Sequence, residues 1–251
     1  MFAGMNSKLD TQPGPNGWRV LHVHETGSTN TDLMSLARAG EAANLVLRAD
    51  AQTAGRGRLG RVWEAPAGQS LLCSLLFRPL DMLPALRMDR LHVLTQAVAL
   101  AAADACATLT GVRPGLKWPN DVMVGERKLA GILAESVVDG GVVSSVVVGI
   151  GLNVNAAPHG AVCLAEIGGQ PLDVATVFAE MLNALDVSTA SARYPGALMT
   201  IGRRVRVELD GETVVGQATG ISDLGHLIVV VDGGERREFA VGDVVHVRNQ
   251  I

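Results

Sequence analysis

The sequence predicts an α/β (α+β) protein: a catalytic domain built on a mixed sheet with flanking helices, then a small all-β domain. Three observations predict this. Up to about residue 197, apolar strand patterns alternate with helical ones. After about residue 198 the pattern becomes short strands at roughly 8–12-residue spacing, divided by "DG", "DLG", "DGG" and "VGD" turns. A hydrophobic content of 48% over 251 residues is enough for one good core and a satellite.

The elements follow in order. "WRVLHVHE" (18–25) alternates as a strand. "STNTDLMSLARAG" follows as a helix, with Thr29 and Asp32 at capping-box spacing and Gly40 closing it. "ANLVLRADAQ" (43–52) is a second strand, and "SLLCSLLF" (70–77) a buried one. Residues 88–110 form a long Ala/Leu helix stopped by Gly111 and Pro114. Short strands come near 114–118, 121–124 and 128–136, with a turn at "VGER". "GVVSSVVVGIGLNV" (141–154) is another buried strand, and 173–189 reads as a helix. "RRVRVEL", "ETVVGQATGIS", "HLIVVVD", "RREFAV" and "DVVHVR" then build a small barrel. The organisation predicted is a flexible N-terminus (1–17), a catalytic domain (18–197) and a C-terminal β domain (198–251).

Composition excludes several classes. A net charge of −4 lacks the basic excess of a dedicated nucleic-acid binder. The apolar runs are too short for a bilayer, and no secretory h-region opens the chain. Cys73, Cys106 and Cys163 are odd in number and far apart, which predicts buried cytosolic thiols. His22 and His24 can share a strand face, but without a third ligand they do not make a metal site. Of 21 basic residues only Lys8, Lys117 and Lys128 are lysine, and the last two share "LKWPNDVMVGERKLAGILAE". A compact ammonium is not equivalent to a guanidinium fork, so that clustering asks for a chemical reason.

"AGRGRLGRVW" (54–63) matches G-x-G-x-x-G at Gly55, Gly57 and Gly60, and Asp81 stands where a ribose-binding acid would. The dinucleotide pattern also needs a helix after the glycines. Pro66 and Gly68 in "RVWEAPAGQ" leave no room for one. A P-loop would need Lys-Ser/Thr after Gly60, where Arg61-Val62 stand. What remains is a mobile glycine loop with Arg56, Arg58 and Arg61, ending on Trp63. It is either a solvated basic loop or a cover whose forks suit a carboxylate or phosphate. Taken singly, "KWPND" (117–121) can be plain turn chemistry, Lys128 a strand-edge lysine, and "GIGLNVN" (149–155) a strand end.

Together, "STN" (28–30), "QTAGRGRLGRVW" (52–63), "KWPNDVMV" (117–124), "RKLAGILAE" (127–135) and "GIGLNVN" (149–155) resemble, in that order, the catalytic domain of biotin–protein ligases of the BirA type. The tail is similar to that family's SH3-like domain. The resemblance implies an enzyme that joins biotin to ATP as biotinyl-5′-AMP, with Mg²⁺ accompanying the nucleotide and no dedicated metal site. It would then transfer biotin to a lysine of a biotin carboxyl carrier protein or domain. Carried over by position, Ser28, Thr29 and Asn30 would bind the ureido ring, with Gln52 and Gly131 nearby. Arg56, Gly57 and Arg58 would fold over biotin and the adenylate. Lys128 would bridge biotin's carboxylate and the α-phosphate, and Asp121 would orient or deprotonate the acceptor lysine. Trp63, Asn120, Asn153 and Arg248 would reach the nucleotide. About 17 residues precede the first strand, too few for a winged helix-turn-helix. The expectation is therefore a cytoplasmic ligase without DNA or membrane binding, a monomer or weak homodimer. The alternatives are a lipoate or octanoate ligase or transferase of the same fold, or a non-catalytic biotin-sensing module.

Overall fold

The computed structural model describes residues 10–79 and 87–247, so Lys8, Asp81 and Arg248 lie outside the described residues. Eight strands form one sheet: β1 (Gln12–Pro13), β2 (Arg19–Thr26), β3 (Leu45–Gln52), β4 (Ser70–Phe77), β5 (Gly115–Lys117), β6 (Asp121–Val124), β7 (Arg127–Asp139) and β8 (Val142–Asn153). Their order is β1-β2-β3-β4-β8-β7-β6-β5. Neighbours run antiparallel except β2 and β3, which are parallel because the chain crosses over between them through helix α1 (Thr29–Arg38). The sheet is therefore mixed, as the alternating patterns predict.

Helices cover both faces. α1 packs Leu33, Met34, Leu36 and Ala37 onto Leu45, Leu47 and Leu76. On the other face lie α2 (His92–Thr110), α3 (Leu164–Gly168), α4 (Val174–Asn183) and α5 (Val187–Ala197). β4 is buried at every position, so both of its faces are core. Leu71, Cys73, Leu75 and Phe77 join the α2 side, while Leu76 joins the α1 side. Among the described residues, Met88–Thr110 is long and apolar enough to cross a bilayer, but 67% of that window is buried inside the protein. It is the central core helix. Cys73 and Cys106 are buried, and burial pushes both thiols up to about 12, which leaves them unreactive near neutral pH.

Four local expectations are corrected. The first turn of the 88–110 helix is 3₁₀ (Met88–Arg90), and α2 starts at His92. The 173–189 helix is two helices, because Asp186 accepts a hydrogen bond from Ser188 N at 2.9 Å and starts α5 afresh. The Thr29/Asp32 capping box does not form: Thr29 is the first helical residue and Asp32 accepts from the Thr26 hydroxyl instead. Residues 12–17 are organised: β1 pairs with β2, and the Asn16 amide donates to Leu182 O at 3.0 Å.

The C-terminal domain holds β9 (Arg204–Glu208), β10 (Thr213–Ile221), β11 (Leu227–Val231), β12 (Arg236–Phe239) and β13 (Asp243–His246). They form an antiparallel sheet ordered β12-β11-β10-β9-β13. Its buried valines are continuous with the core under α2. Trp118 fixes the junction, its Nε1 donating to Gly225 O at 3.1 Å and its backbone N–H to Thr200 Oγ1 at 3.2 Å. This docking brings Glu208 and Asp243 to the rim of a cavity in the catalytic domain.

Candidate active site

That cavity has a volume of about 490 Å³, within the usual range for small-molecule sites. Neutral polar side chains from the start of α1 build one part of its wall. Ser28, Thr29 and Asn30 are all buried there, and each lines the cavity. Gln52, at the end of β3, does the capping that the sequence assigns to a local box. Its Oε1 accepts from Thr29 N at 2.7 Å and from Thr29 Oγ1 at 3.1 Å. Asn30 is clamped on both ends of its amide. Nδ2 donates to Leu133 O (3.1 Å) and Glu135 Oε2 (2.9 Å), while Oδ1 accepts from Ser74 Oγ at 2.6 Å. Ser74 occurs in the fully buried β4 because that strand faces α1's polar start at this point.

The floor is made of glycines. Gly131 of β7 pairs across the sheet with Gly151 of β8, and Leu133 pairs with Gly149. A side chain at Gly149 would overlap Asn30 Oδ1, and one at Gly151 would overlap the Trp63 indole. A Cβ at Gly131 would lie 3.0 Å from Lys128 Cε and from Trp63 Cζ3. The bare backbone thus leaves room for the indole against two strands. Among the described residues the buried Trp63 Nε1 has no hydrogen-bond acceptor.

Beside this floor stands the charged centre. A register shift in the β6–β7 pairing, between Val122 and Met123, sets Lys128 opposite Met123. Lys128 Nζ lies 2.6 Å from Asp121 Oδ1 and 5.6 Å from the Trp63 ring centroid. Asn120 holds the same corner: its Nδ2 donates to Ile132 O at 2.9 Å.

The arginine loop closes over the top. It folds as its own small hairpin, with Trp63 N donating to Gly55 O (3.0 Å) and Gly57 N to Arg61 O (2.7 Å). Arg58–Gly60 is a single 3₁₀ turn, and no helix separates it from β4. The dinucleotide reading therefore fails for the reason the sequence states, while the loop itself is organised. Arg56 Nη2 donates to Glu135 Oε2 at 2.5 Å. Arg58 Nη1 donates to Asn120 Oδ1 at 3.2 Å, and Arg61 pairs with Asp243.

Of the residues singled out in the sequence, the structure gathers Ser28, Thr29, Asn30, Gln52, Arg56, Gly57, Arg58, Trp63, Asn120, Asp121, Lys128 and Gly131 around this one cavity. Asn153 does not line it. That side chain is buried, and its Nδ2 donates to Val162 O at 3.1 Å and Lys128 O at 3.5 Å, so it braces the strand carrying Lys128. Ser74, Glu135 and Asp243 were missed. Ser74 left one readable trace, a polar residue inside an apolar run; the pairings of Glu135 and Asp243 join segments 79 and 182 residues apart. His22 and His24 both contact the Asp50 carboxylate, at 2.8 and 3.0 Å, on an exposed strand face. Among the described residues no cluster of three His, Cys, Asp or Glu is arranged to hold a metal.

A mixed sheet whose glycine floor carries a lysine–carboxylate pair, under an arginine cover, is the arrangement of an acyl-activating ligase. The chain belongs to the biotin/lipoate A/B protein ligase family, which it matches over residues 25–153. Residues 200–247 match the biotin protein ligase C-terminal domain. It is 40% identical to the biotin–[acetyl-CoA-carboxylase] ligase of Mycobacterium tuberculosis, over 93% of this chain and 91% of that one. It is 27% identical to the bifunctional ligase/repressor BirA of Bacillus subtilis, over 89% of this chain and 73% of the relative. The biotin protein ligase of Aquifex aeolicus, solved with biotin and ATP, superposes with a TM-score of 0.74 at 27% identity, over 92% of this chain and 99% of that one.

Proposed function

We propose that the chain activates biotin with Mg-ATP as biotinyl-5′-AMP and transfers it to a lysine of a biotin carboxyl carrier domain. The observation that carries this is the Lys128–Asp121 pair, 2.6 Å apart, standing between an uncharged polar subsite and the arginine loop. Biotin's fused ring is neutral and rich in donors and acceptors, which suits Ser28, Thr29, Asn30 and Gln52. Its carboxylate must meet the α-phosphate, and two unit charges about 4 Å apart cost roughly 4 kcal/mol at an effective dielectric near 20. Lys128, Arg56 and Arg58 offset that repulsion and the charge that grows on the α-phosphate in the transition state. The carboxylate oxygen attacks phosphorus, the bond to the β-phosphate oxygen breaks, and pyrophosphate leaves. The carrier's amine then attacks the acyl carbon and AMP leaves. Asp121 orients that amine and takes up its proton. Trp63 offers a flat face for the adenine, and Gly57 lets the loop backbone lie close to the adenylate. Mg²⁺ enters with the nucleotide as part of the substrate. A net charge of −4 supports a protein partner over nucleic acid, and buried free thiols support a reducing, cytoplasmic compartment.

The test is pyrophosphate exchange into ATP, run with biotin or with lipoate. Exchange with biotin is expected; exchange with lipoate alone would overturn the substrate. Lys128→Ala should lower biotin-dependent exchange about 100-fold or more while thermal unfolding is unchanged. Near wild-type exchange in that variant would remove Lys128 from its role.

A further inference from the structure

We propose that Asp243, the first residue of β13, is a positioning residue that anchors the arginine loop to the C-terminal domain and sets how long the acyl-adenylate is retained. The inference rests on the functional reading above and extends it to a residue outside the reacting centre.

The loop has little stiffness of its own. Gly55, Gly57 and Gly60 each add conformational freedom, and its internal hydrogen bonds span only its own hairpin. Its place over the cavity therefore depends on what its arginines hold. Arg56 is tied to β7 through Glu135. The other two converge on the C-terminal domain. Arg61 pairs with Asp243, Arg58 Nη1 lies 3.7 Å from Asp243 Oδ1, and Arg58 Nη2 donates to Gly242 O at 3.3 Å. Arg58 also reaches Asn120 beside the reacting centre. One side chain thus connects the centre, the loop and the C-terminal domain.

The anchor is rigid where it needs to be. Asp243 is paired with Glu208 in the β13–β9 ladder, and Gly242 turns into it at φ 141°. A Cβ there would lie 2.9 Å from Val207 Cγ1, so this turn is seated tightly on β9. Glu208 lines the cavity too, but its carboxylate is engaged by Arg206 at 2.9 Å, which leaves Asp243 for the loop. Arg58 and Asp243 are 21% and 20% exposed, so water screens their attraction less than it does a surface pair. Arg61 is 67% exposed and contributes less.

Retention matters because the mixed anhydride acylates any amine it meets. A ligase that lets it go labels lysines indiscriminately. The full-length chain and its Asp243→Asn variant should be loaded with biotin and Mg-ATP without a carrier. Released biotinyl-AMP is measured chromatographically, and stray labelling is read on serum albumin by streptavidin blot. Asp243→Asn is expected to release adenylate about tenfold faster and to label albumin, with its unfolding temperature close to wild type. Asp243→Glu should restore retention, which a merely structural role does not require. If Asp243→Asn does not fold, Arg61→Met removes the same contact from the solvent side and should also leak, more weakly. A folded Asp243→Asn with wild-type retention overturns the proposal alone. Absence of biotin-dependent exchange in the unaltered chain overturns the functional reading and this proposal together.

Discussion

Gly149 and Asn30 show how tightly single residues are matched. The Asn30 amide is held by Leu133 O, Glu135 and Ser74, so it has no direction in which to retreat. The room for its Oδ1 exists only because position 149 has no side chain. Gly149→Ala should therefore weaken biotin binding by at least about tenfold, because one methyl group must displace a buried and fully bonded amide. Calorimetric titration of biotin checks this, and unchanged affinity would show that Asn30 does not set the ring subsite. Lys128 and Asp121 make the complementary point. Their chemistry was readable from residue type and spacing, but their 2.6 Å contact depends on the register shift in β6–β7, which no local pattern announces.

Among the elements, α1 and β4 explain each other. β4 is an apolar strand buried on both faces, and a serine inside it is costly unless bonded. Ser74 is bonded: its hydroxyl lies 2.8 Å from Thr29 Oγ1 and 2.6 Å from Asn30 Oδ1. The strand thus pins the first turn of α1, while Gln52 caps it from β3. Ser74→Ala should cost about 1–3 kcal/mol of stability, since it leaves a buried Asn30 acceptor unpaired. Urea unfolding measures this directly. A loss below about 0.5 kcal/mol, the range of ordinary surface changes, would mean that α1's start does not depend on β4. The Thr29/Asp32 capping box fails to form for the same reason. Thr29 and Asp32 have the right spacing, but partners from β2 and β3 outcompete the local ones.

At the scale of the whole molecule, the junction of the two domains carries a titrating group. His246 of β13 sits 3.3 Å from Thr200 Oγ1. Burial, with the nearby Lys117 and Arg203 cations, pushes its pKa down to about 4, against a weaker opposing pull from Glu126. In the unfolded chain the imidazole titrates near its ordinary value of about 6.5. Between these values the unfolded state binds the extra proton, so stability falls as pH drops from about 6.5 towards 4. The ring is only half-buried, so solvent screening keeps the loss well below the full shift. Urea unfolding at pH 7.5 and pH 5 should show a smaller pH-dependent loss for His246→Asn than for the wild type. Equal losses would place the acid sensitivity elsewhere.

Periodicity, turn residues and five ordered motifs determined the mixed sheet, the all-β tail, the family and most of the residues around the cavity. Each of those is a local signal: a strand's alternation, a glycine turn, a lysine among arginines. The tertiary structure decided what distant segments do to one another. It made Gln52 a helix cap, set Asn153 behind Lys128 instead of in the cavity, and brought Asp243 to the arginines of "AGRGRLGRVW". Contacts such as Thr29–Gln52, 23 positions apart, and Arg61–Asp243, 182 apart, depend on how elements pack, and packing is not written in any short stretch of chain.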